Sequence, residues 1–254
     1  MTNDELDRAL RSLRLGGMAD KLTVRAQQAT ASHLGPIDFL MLLVHDELER
    51  RRDRLVERRC KEAGFRDMKT LDTFNWTFNA IDRAQIYELA AGRFIEQHED
   101  VLMLGNSGVG KSHLAQAIGM AAIHAGFRVI YREAHRLFED IVLATALGER
   151  STLINKLTDV PLLVVDDLGM RKLPTSAAED LLEVVMRRYE RASTIITSNR
   201  PLEDWPKLFG DTPAVTAFLD RLMHHGHLIE MRGKSYRLHE SGIAARERKA
   251  KRIT

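Results

Sequence analysis

Short apolar runs recur through the second half of the chain, at 101–104, 127–131, 161–165, 193–197 and 227–231. The first, Val101–Leu104, reads as a buried parallel strand, and the others read as four further strands. Between them apolar residues return in steps of three and four, the period of a helix with one buried side. Leu114, Ala117, Ile118, Ala121 and Ala122 form one such stripe. Leu181, Leu182, Val185 and Met186 form another, in a helix expected over 178–189. One or two helices fill 132–157, one runs over 216–224, and 201–211 reads as loop. Strands alternating with helices place residues 81–240 in the α/β class.

Residues 1–64 follow a different pattern and read as a small all-helical domain. Thr2-x-x-Glu5 makes a capping box ahead of Leu6, Leu10 and Leu13. Gly16-Gly17 is expected to break that helix, and a second holds Met18, Leu22 and Ala26. Gly35-Pro36 opens a longer third helix with an apolar stripe of Ile37, Leu40, Met41, Val44, Leu48 and Leu55. Its other face carries arginines at 50, 51, 52, 54, 58 and 59 among Asp53 and Glu57. That face reads as solvated and laced by i,i+4 pairs; a surface for DNA phosphates is the alternative. Gly64 ends the helix. A connector, 65–80, holds Phe65, Phe74, Trp76 and Phe78, suited to packing on the core or to stacking on bases. A single helix is expected from 82 to 97. Residues 241–254 form a basic tail with Arg246, Arg248, Lys249, Lys251 and Arg252.

The stretch after the first strand carries the chemistry. Gly105-x-x-x-x-Gly110-Lys111-Ser112 is a complete Walker A signature between a strand and a helix. Gly105, Gly108 and Gly110 let the backbone bend and bring bare N–H groups against phosphate oxygens. The positive end of the following helix points at the same anion. Gly105, Asn106, Ser107, Gly108, Val109, Gly110, Lys111, Ser112 and His113 are therefore the expected ATP-binding residues. Lys111 reaches the β- and γ-phosphates, and Ser112 ligates Mg²⁺. The run Pro161–Val165 ends in Asp166-Asp167, a Walker B pattern. Asp166 is placed to hold Mg²⁺ through water, and Asp167 to orient or deprotonate the attacking water. Asn199, just past the fourth strand, can touch the γ-phosphate or that water.

The formal net charge is +2, so any case for nucleic acid depends on where charges lie rather than on their sum. Cys60 is the single cysteine, which excludes an internal disulfide and a Cys-based zinc site. His224-His225-x-His227 has three histidines in four residues, but they cannot all face one point on a helix. Cationic side chains at a helix C-terminus fit better. The chain starts without a charged segment and apolar core, and its apolar runs are far below the ~20 residues that span a bilayer. A soluble, cytosolic protein is expected.

Taken together, these motifs resemble the AAA+ ATPases of the IstB/DnaC group, and IstB most closely. The resemblance is carried by Gly105–Leu114, Leu162–Gly169, Arg188–Asn199, Trp205, Phe209-Gly210-Asp211 and Leu219–His225, and by Leu40–Arg51 and Phe65–Leu71 near the start. It implies an AAA+ P-loop domain with a five-stranded parallel sheet, the sensor strand lying between the two Walker strands. It implies Asn199 as sensor and Arg221 as an arginine finger for the ATP of a neighbouring copy. It further implies a homo-oligomer with ATP sites at subunit interfaces, assembled on duplex DNA, that bends the DNA and activates the transposase of the same element. Arg132, His135 and Arg136 follow the second strand, where related initiators and loaders face DNA; Arg171 and Lys172 follow Walker B and would line a channel. Two features depart from the wider pattern. Asp167 stands where many AAA+ proteins have Glu, which points to slow hydrolysis. About 33 residues follow Arg221, too few for the fifth strand and a C-terminal helical lid. Other functions are compatible with the same P-loop: a helicase loader resembling DnaC, a small-molecule kinase, or a nucleotide-gated DNA clamp that barely hydrolyses.

Overall fold

The computed structural model describes residues 2–210 and 213–239, and the chain divides into two compact units, Met1–Arg59 and Cys60–Thr254. The basic tail and Asp211 lie outside the described residues.

The first unit holds α1 (Asn3–Ser12), α2 (Gly16–Ala31) and most of α3 (Pro36–Ala63). Thr2 caps α1 as its sequence requires, with Thr2 Oγ1 accepting from the Glu5 amide at 3.2 Å and Glu5 Oε2 from the Thr2 amide at 2.8 Å. The break after α1 falls at Leu13–Leu15, not at the glycine pair, and Gly16 instead opens α2. Gly17 is buried because α3 passes so close that a Cβ there would press on the Glu47 backbone. The apolar stripe of α3 is also not its packed face. Ile37, Leu40, Met41, Val44 and Leu48 are exposed, while Leu43, Asp46 and Glu47 are buried. The two carboxylates explain this: Asp46 takes both arms of Arg25 at 2.7 Å. Glu47 accepts from the Gly17 amide at 2.6 Å and from Arg51 Nε at 2.6 Å. The arginine-rich face is paired as well as solvated, with Arg51 on Glu47 and Arg50 on Asp20 at 3.3 Å.

The second unit begins with the connector, then α4 (Arg83–Ala90) and α5 (Arg93–Glu96). The single helix expected over 82–97 is split at Gly92, which adopts φ +83°. The α/β alternation follows: β1 (Asp100–Gly105), α6 (Lys111–His124), β2 (Val129–Glu133), α7 (Ala134–Ala146), α8 (Arg150–Thr158), β3 (Leu162–Leu168), α9 (Ala177–Arg188) and β4 (Ser193–Ser198). A 3₁₀ turn at Leu202–Asp204 leads to α10 (Trp205–Phe209), α11 (Pro213–His224) and β5 (Gly226–Met231). The stretch expected as loop therefore contains a short helix, held because Trp205 and Phe209 are buried against Phe218.

All strand pairings are parallel, in the order β2-β3-β4-β1-β5. The strand that leads into Asn199 thus lies between the strand that leads into the P-loop and the strand that carries Asp166, as expected. Side chains alternate across the sheet. Leu102, Leu104, Leu163, Val165 and Ile196 join one core with residues of α7–α11, while α6 packs against β2, β3 and β4. Past β5 the described chain contributes one helical turn at 236–239. No helix among the described residues is long and apolar enough to cross a membrane.

Candidate functional site

The carboxyl ends of β1, β3 and β4 open into a cavity of about 440 Å³, where open α/β sheets place their ligands. Gly105 leaves β1 at φ +153°, and a Cβ there would collide with the Met231 carbonyl. Gly108 turns at φ +81° directly under Ser235. The loop is therefore a bare-backbone cradle that larger residues cannot occupy. It ends at the N-terminus of α6, with Gly110 as the cap and no side chain satisfying the first amides. Lys111 is only 4 % exposed. Its ammonium donates to the Gly105 and Asn106 carbonyls at 2.6 and 3.0 Å. Burial pushes its pKa below the usual lysine value, against the pull of Asp167 and Asp166.

Asp166 is fully buried near the carboxyl end of β3. One carboxylate oxygen accepts from the Tyr131 hydroxyl at 2.5 Å, and the other from Thr197 Oγ1. Between β3 and β4 the register slips across Val165–Leu168, and Asp167 stands in this bulge at φ +57°. A bulge re-aims a side chain: Asp167 Oδ1 comes to 3.5 Å from Ser112 Oγ, while its amide donates to Thr197 Oγ1 at 2.9 Å. Burial and the charge of Asp166 raise the Asp167 pKa, with Lys111 and Arg237 opposing. Asn199 lines the same cavity, and its amide oxygen is buried without a hydrogen-bond partner. Such an orphan is uncommon.

His113 packs outward against the connector. Its Nε2 lies 2.9 Å from the Thr70 carbonyl, its ring meets Phe74 edge-on at 5.1 Å, and burial lowers its pKa. Asn106 lies at the loop's other flank, in an adjoining cavity that also reaches Asn199 and β5. Arg221 is not part of the cavity lining: it sits on α11 with its guanidinium 5.3 Å from the ring centroid of Tyr189. His224 and His225 pack edge-on, with ring centroids 4.1 Å apart, while His227 lies on β5. His224 meets the Tyr189 hydroxyl at 2.6 Å, His225 faces Glu190 at 3.6 Å and His227 bonds Glu99 at 2.8 Å. No group of three or more His, Cys, Asp or Glu among the described residues could hold a metal ion.

The expected DNA-facing residues fall in two places. Arg132, His135 and Arg136 lie together at the end of β2, but acids answer them: Asp140 at 3.6 Å for Arg132, and Glu133 at 3.8 and 3.3 Å for His135 and Arg136. Arg171 and Lys172 are exposed on the turn after β3.

Residues 8–244 match the protein family described as IstB-like ATP binding protein. The chain belongs to that family. One relative, the "Insertion sequence IS21 putative ATP-binding protein" of Pseudomonas aeruginosa, is 36 % identical over 237 residues, 93 % of this chain and 89 % of the relative. Among solved structures, the DnaC helicase loader superposes with a TM-score of 0.55 at 24 % identity, covering 64 % of this chain and 96 % of the loader. The replication initiator DnaA bound to AMPPCP and single-stranded DNA superposes at 0.54 with 25 % identity, covering 67 % of this chain and 52 % of the initiator. The fold of this IstB-like protein is that of an AAA+ domain.

Several residues of the IstB-like cavity carry no local signature. Phe74, Phe78 and Asn79 line it from the connector, Arg66 lies beside them, and Tyr236 and Arg237 close it from beyond β5. Asn79 locks two of these segments together, accepting from the Lys234 amide at 3.0 Å and donating to the Lys234 carbonyl at 3.1 Å. The described chain past β5 thus helps to enclose the site. The connector aromatics were the available signal, and they both pack and line the cavity: Phe65 lies against Tyr131.

Proposed function

We propose that this protein is an ATPase that assembles on duplex DNA with ATP bound and serves the transposase of its own insertion sequence. The observation that carries the reading is a division of the site. One cavity is lined by the P-loop, Lys111, Ser112, Asp167 and Asn199, whose amide oxygen is unpaired, with Asp166 buried next to Asp167, while Arg221 stands apart on the surface of α11.

The donor set fits ATP with Mg²⁺. A cradle closed to a Cβ at Gly105, Gly108 and Gly110 suits phosphate oxygens, and Mg²⁺ needs only one or two protein ligands beside phosphates and waters. Ser112 and Asp166 would hold the ion, which would offset phosphate charge. Lys111 would exchange the loop carbonyls for the β- and γ-phosphate oxygens. Tyr131 and Thr197 hold the Asp166 carboxylate in place through their hydroxyls. Asp167 would take the proton of the water that attacks the γ-phosphorus, while the Asn199 carbonyl accepts that water's second hydrogen. ADP leaves as the bond to its β-phosphate oxygen breaks. Arg221 from a neighbouring copy would neutralise the developing charge, so that hydrolysis waits on assembly. Arg132, His135, Arg136, Arg171 and Lys172 are the candidates for DNA phosphates, the first three after release from Glu133 and Asp140.

Hydrolysis by variants tests the division. Arg221→Ala is expected to bind ATP as the parent does and to lose up to ~10³-fold in turnover. Mixing it with Asp167→Asn, which keeps its arginine, is expected to restore activity. Unchanged turnover by Arg221→Ala would overturn the reading. A second reading, a helicase loader, draws on the likeness to the DnaC loader. Preference for single-stranded over duplex DNA would favour it.

A further inference from the structure

We propose that Tyr189 is a positioning residue for Arg221: its ring is the platform that presents the guanidinium to a neighbouring copy's nucleotide. The inference rests on the reading of Arg221 as a group that acts in trans.

An arginine side chain has many rotamers to lose when it is held in one place. Arg221 is 40 % exposed, and its ion pair is with the adjacent Asp220, 71 % exposed, at 3.5 Å. Such a pair in water restrains little. The Tyr189 ring is the larger constraint, with the guanidinium carbon 5.3 Å from its centroid.

That ring is itself held. α11 grips it at both ends, because Arg221 and His224 are three residues apart on one helical face. Arg221 covers the ring, and His224 Nδ1 meets the hydroxyl at 2.6 Å. His225 packs on it at a centroid distance of 6.0 Å. From the other side the backbone is fixed. Tyr189 caps α9 with its amide on the Val185 carbonyl at 2.8 Å, and Glu190 turns the chain at φ +56°. Directly before it, Arg188 is 1 % exposed. Its guanidinium donates to the Leu157 and Val160 carbonyls at 2.7 and 2.8 Å and to Thr194 Oγ1 at 3.0 Å. A buried anchor, a capped turn and a clasped ring therefore lead in sequence to Arg221. This is the supporting shell that a catalytic group needs if it is to arrive in one geometry.

The test measures kcat and KM for ATP, and assembly mass on duplex DNA, for Tyr189→Leu, Tyr189→Phe and Arg221→Ala side by side. Tyr189→Leu is expected to lose about tenfold in kcat, between the exposed and the desolvated values of a cation–π contact, with KM and assembly mass unchanged. Tyr189→Phe keeps the ring and is expected to stay within about threefold of the parent. Mixing Tyr189→Leu with Asp167→Asn is expected to recover turnover, because the partner supplies a correctly held Arg221. Tyr189→Gln carries the same expectations should the leucine variant not fold. Parental kcat in Tyr189→Leu while Arg221→Ala is inactive would overturn the proposal and leave the trans reading standing. A loss that Asp167→Asn does not repair, or that follows a rise in KM, would also overturn it. Parental turnover in Arg221→Ala would remove the trans reading and this inference together.

Discussion

The two ends of the parallel sheet bury charge in opposite ways. At the amino end, Asp100 on β1 and Arg188 at the close of α9 are both buried. Asp100 accepts the Thr194 amide at 2.7 Å, and Ser193 Oγ donates to the Phe94 carbonyl at 3.0 Å. Arg188 meets carbonyls from the α8–β3 turn and from β4. Every one of these groups finds its partner inside the protein. At the carboxyl end, Lys111 bends back on its own loop, Asp167 stands in a left-handed bulge and Asn199 leaves an acceptor unpaired. The amino-end groups tie separate elements together, whereas at the carboxyl end Lys111 is held only by its own loop and the Asn199 oxygen by no protein donor.

Substitutions at the two ends should therefore fail differently. Arg188→Leu should be the most damaging to folding, costing about 3–5 kcal/mol, because it strands several buried carbonyls and leaves Asp100 without its counter-charge. Chemical denaturation would show this; an unchanged midpoint would break the contrast. Lys111→Ala should show the reverse. ATP affinity should fall about 100-fold, as when a charged hydrogen-bond partner is lost, with the denaturation midpoint nearly constant. Parental nucleotide affinity in calorimetry would remove Lys111 from the site.

Asp100→Asn sharpens the amino end by a smaller amount. Burial raises the Asp100 pKa from 3.8 to about 6, against the pull of the Thr194 amide and Arg188. Because the folded value lies above the unfolded one, the folded chain holds an extra proton between them. The contribution of this group to stability is therefore full below about pH 4 and is lost as pH rises through about 6. The parent should lose on the order of 1 kcal/mol relative to Asp100→Asn between about pH 5 and about pH 8. Parallel stability curves for the two proteins over that range would show that Asp100 stays ionised.

The same contrast decides what the sequence makes legible. The P-loop and the Asp166-Asp167 pair are contiguous, so spacing alone exposes them, and the five apolar runs each became a strand. Tyr131, Thr197, Arg66 and Arg237 reach the site only because the strand order and the chain past β5 bring distant segments together. No local pattern records that. α3 misled for another reason. Apolar spacing pointed to Ile37, Leu40, Met41, Val44 and Leu48, yet the packed side is held by Asp46 and Glu47 through specific ion pairs and an amide. Periodicity counts hydrophobic surface and does not see a buried carboxylate with its partner. Gly92 and the Asp167 bulge are conformational features of single residues, and a periodic reading passes over them.

The most direct measurement is the mass of the full chain by light scattering, with a non-hydrolysable ATP analogue and a duplex of about 50 base pairs, long enough for several helical turns. A multi-subunit assembly that needs both nucleotide and duplex, and that Lys111→Ala cannot form, is the expected result. A monomer whose mass is the same with and without nucleotide and DNA would contradict an ATP site completed between copies.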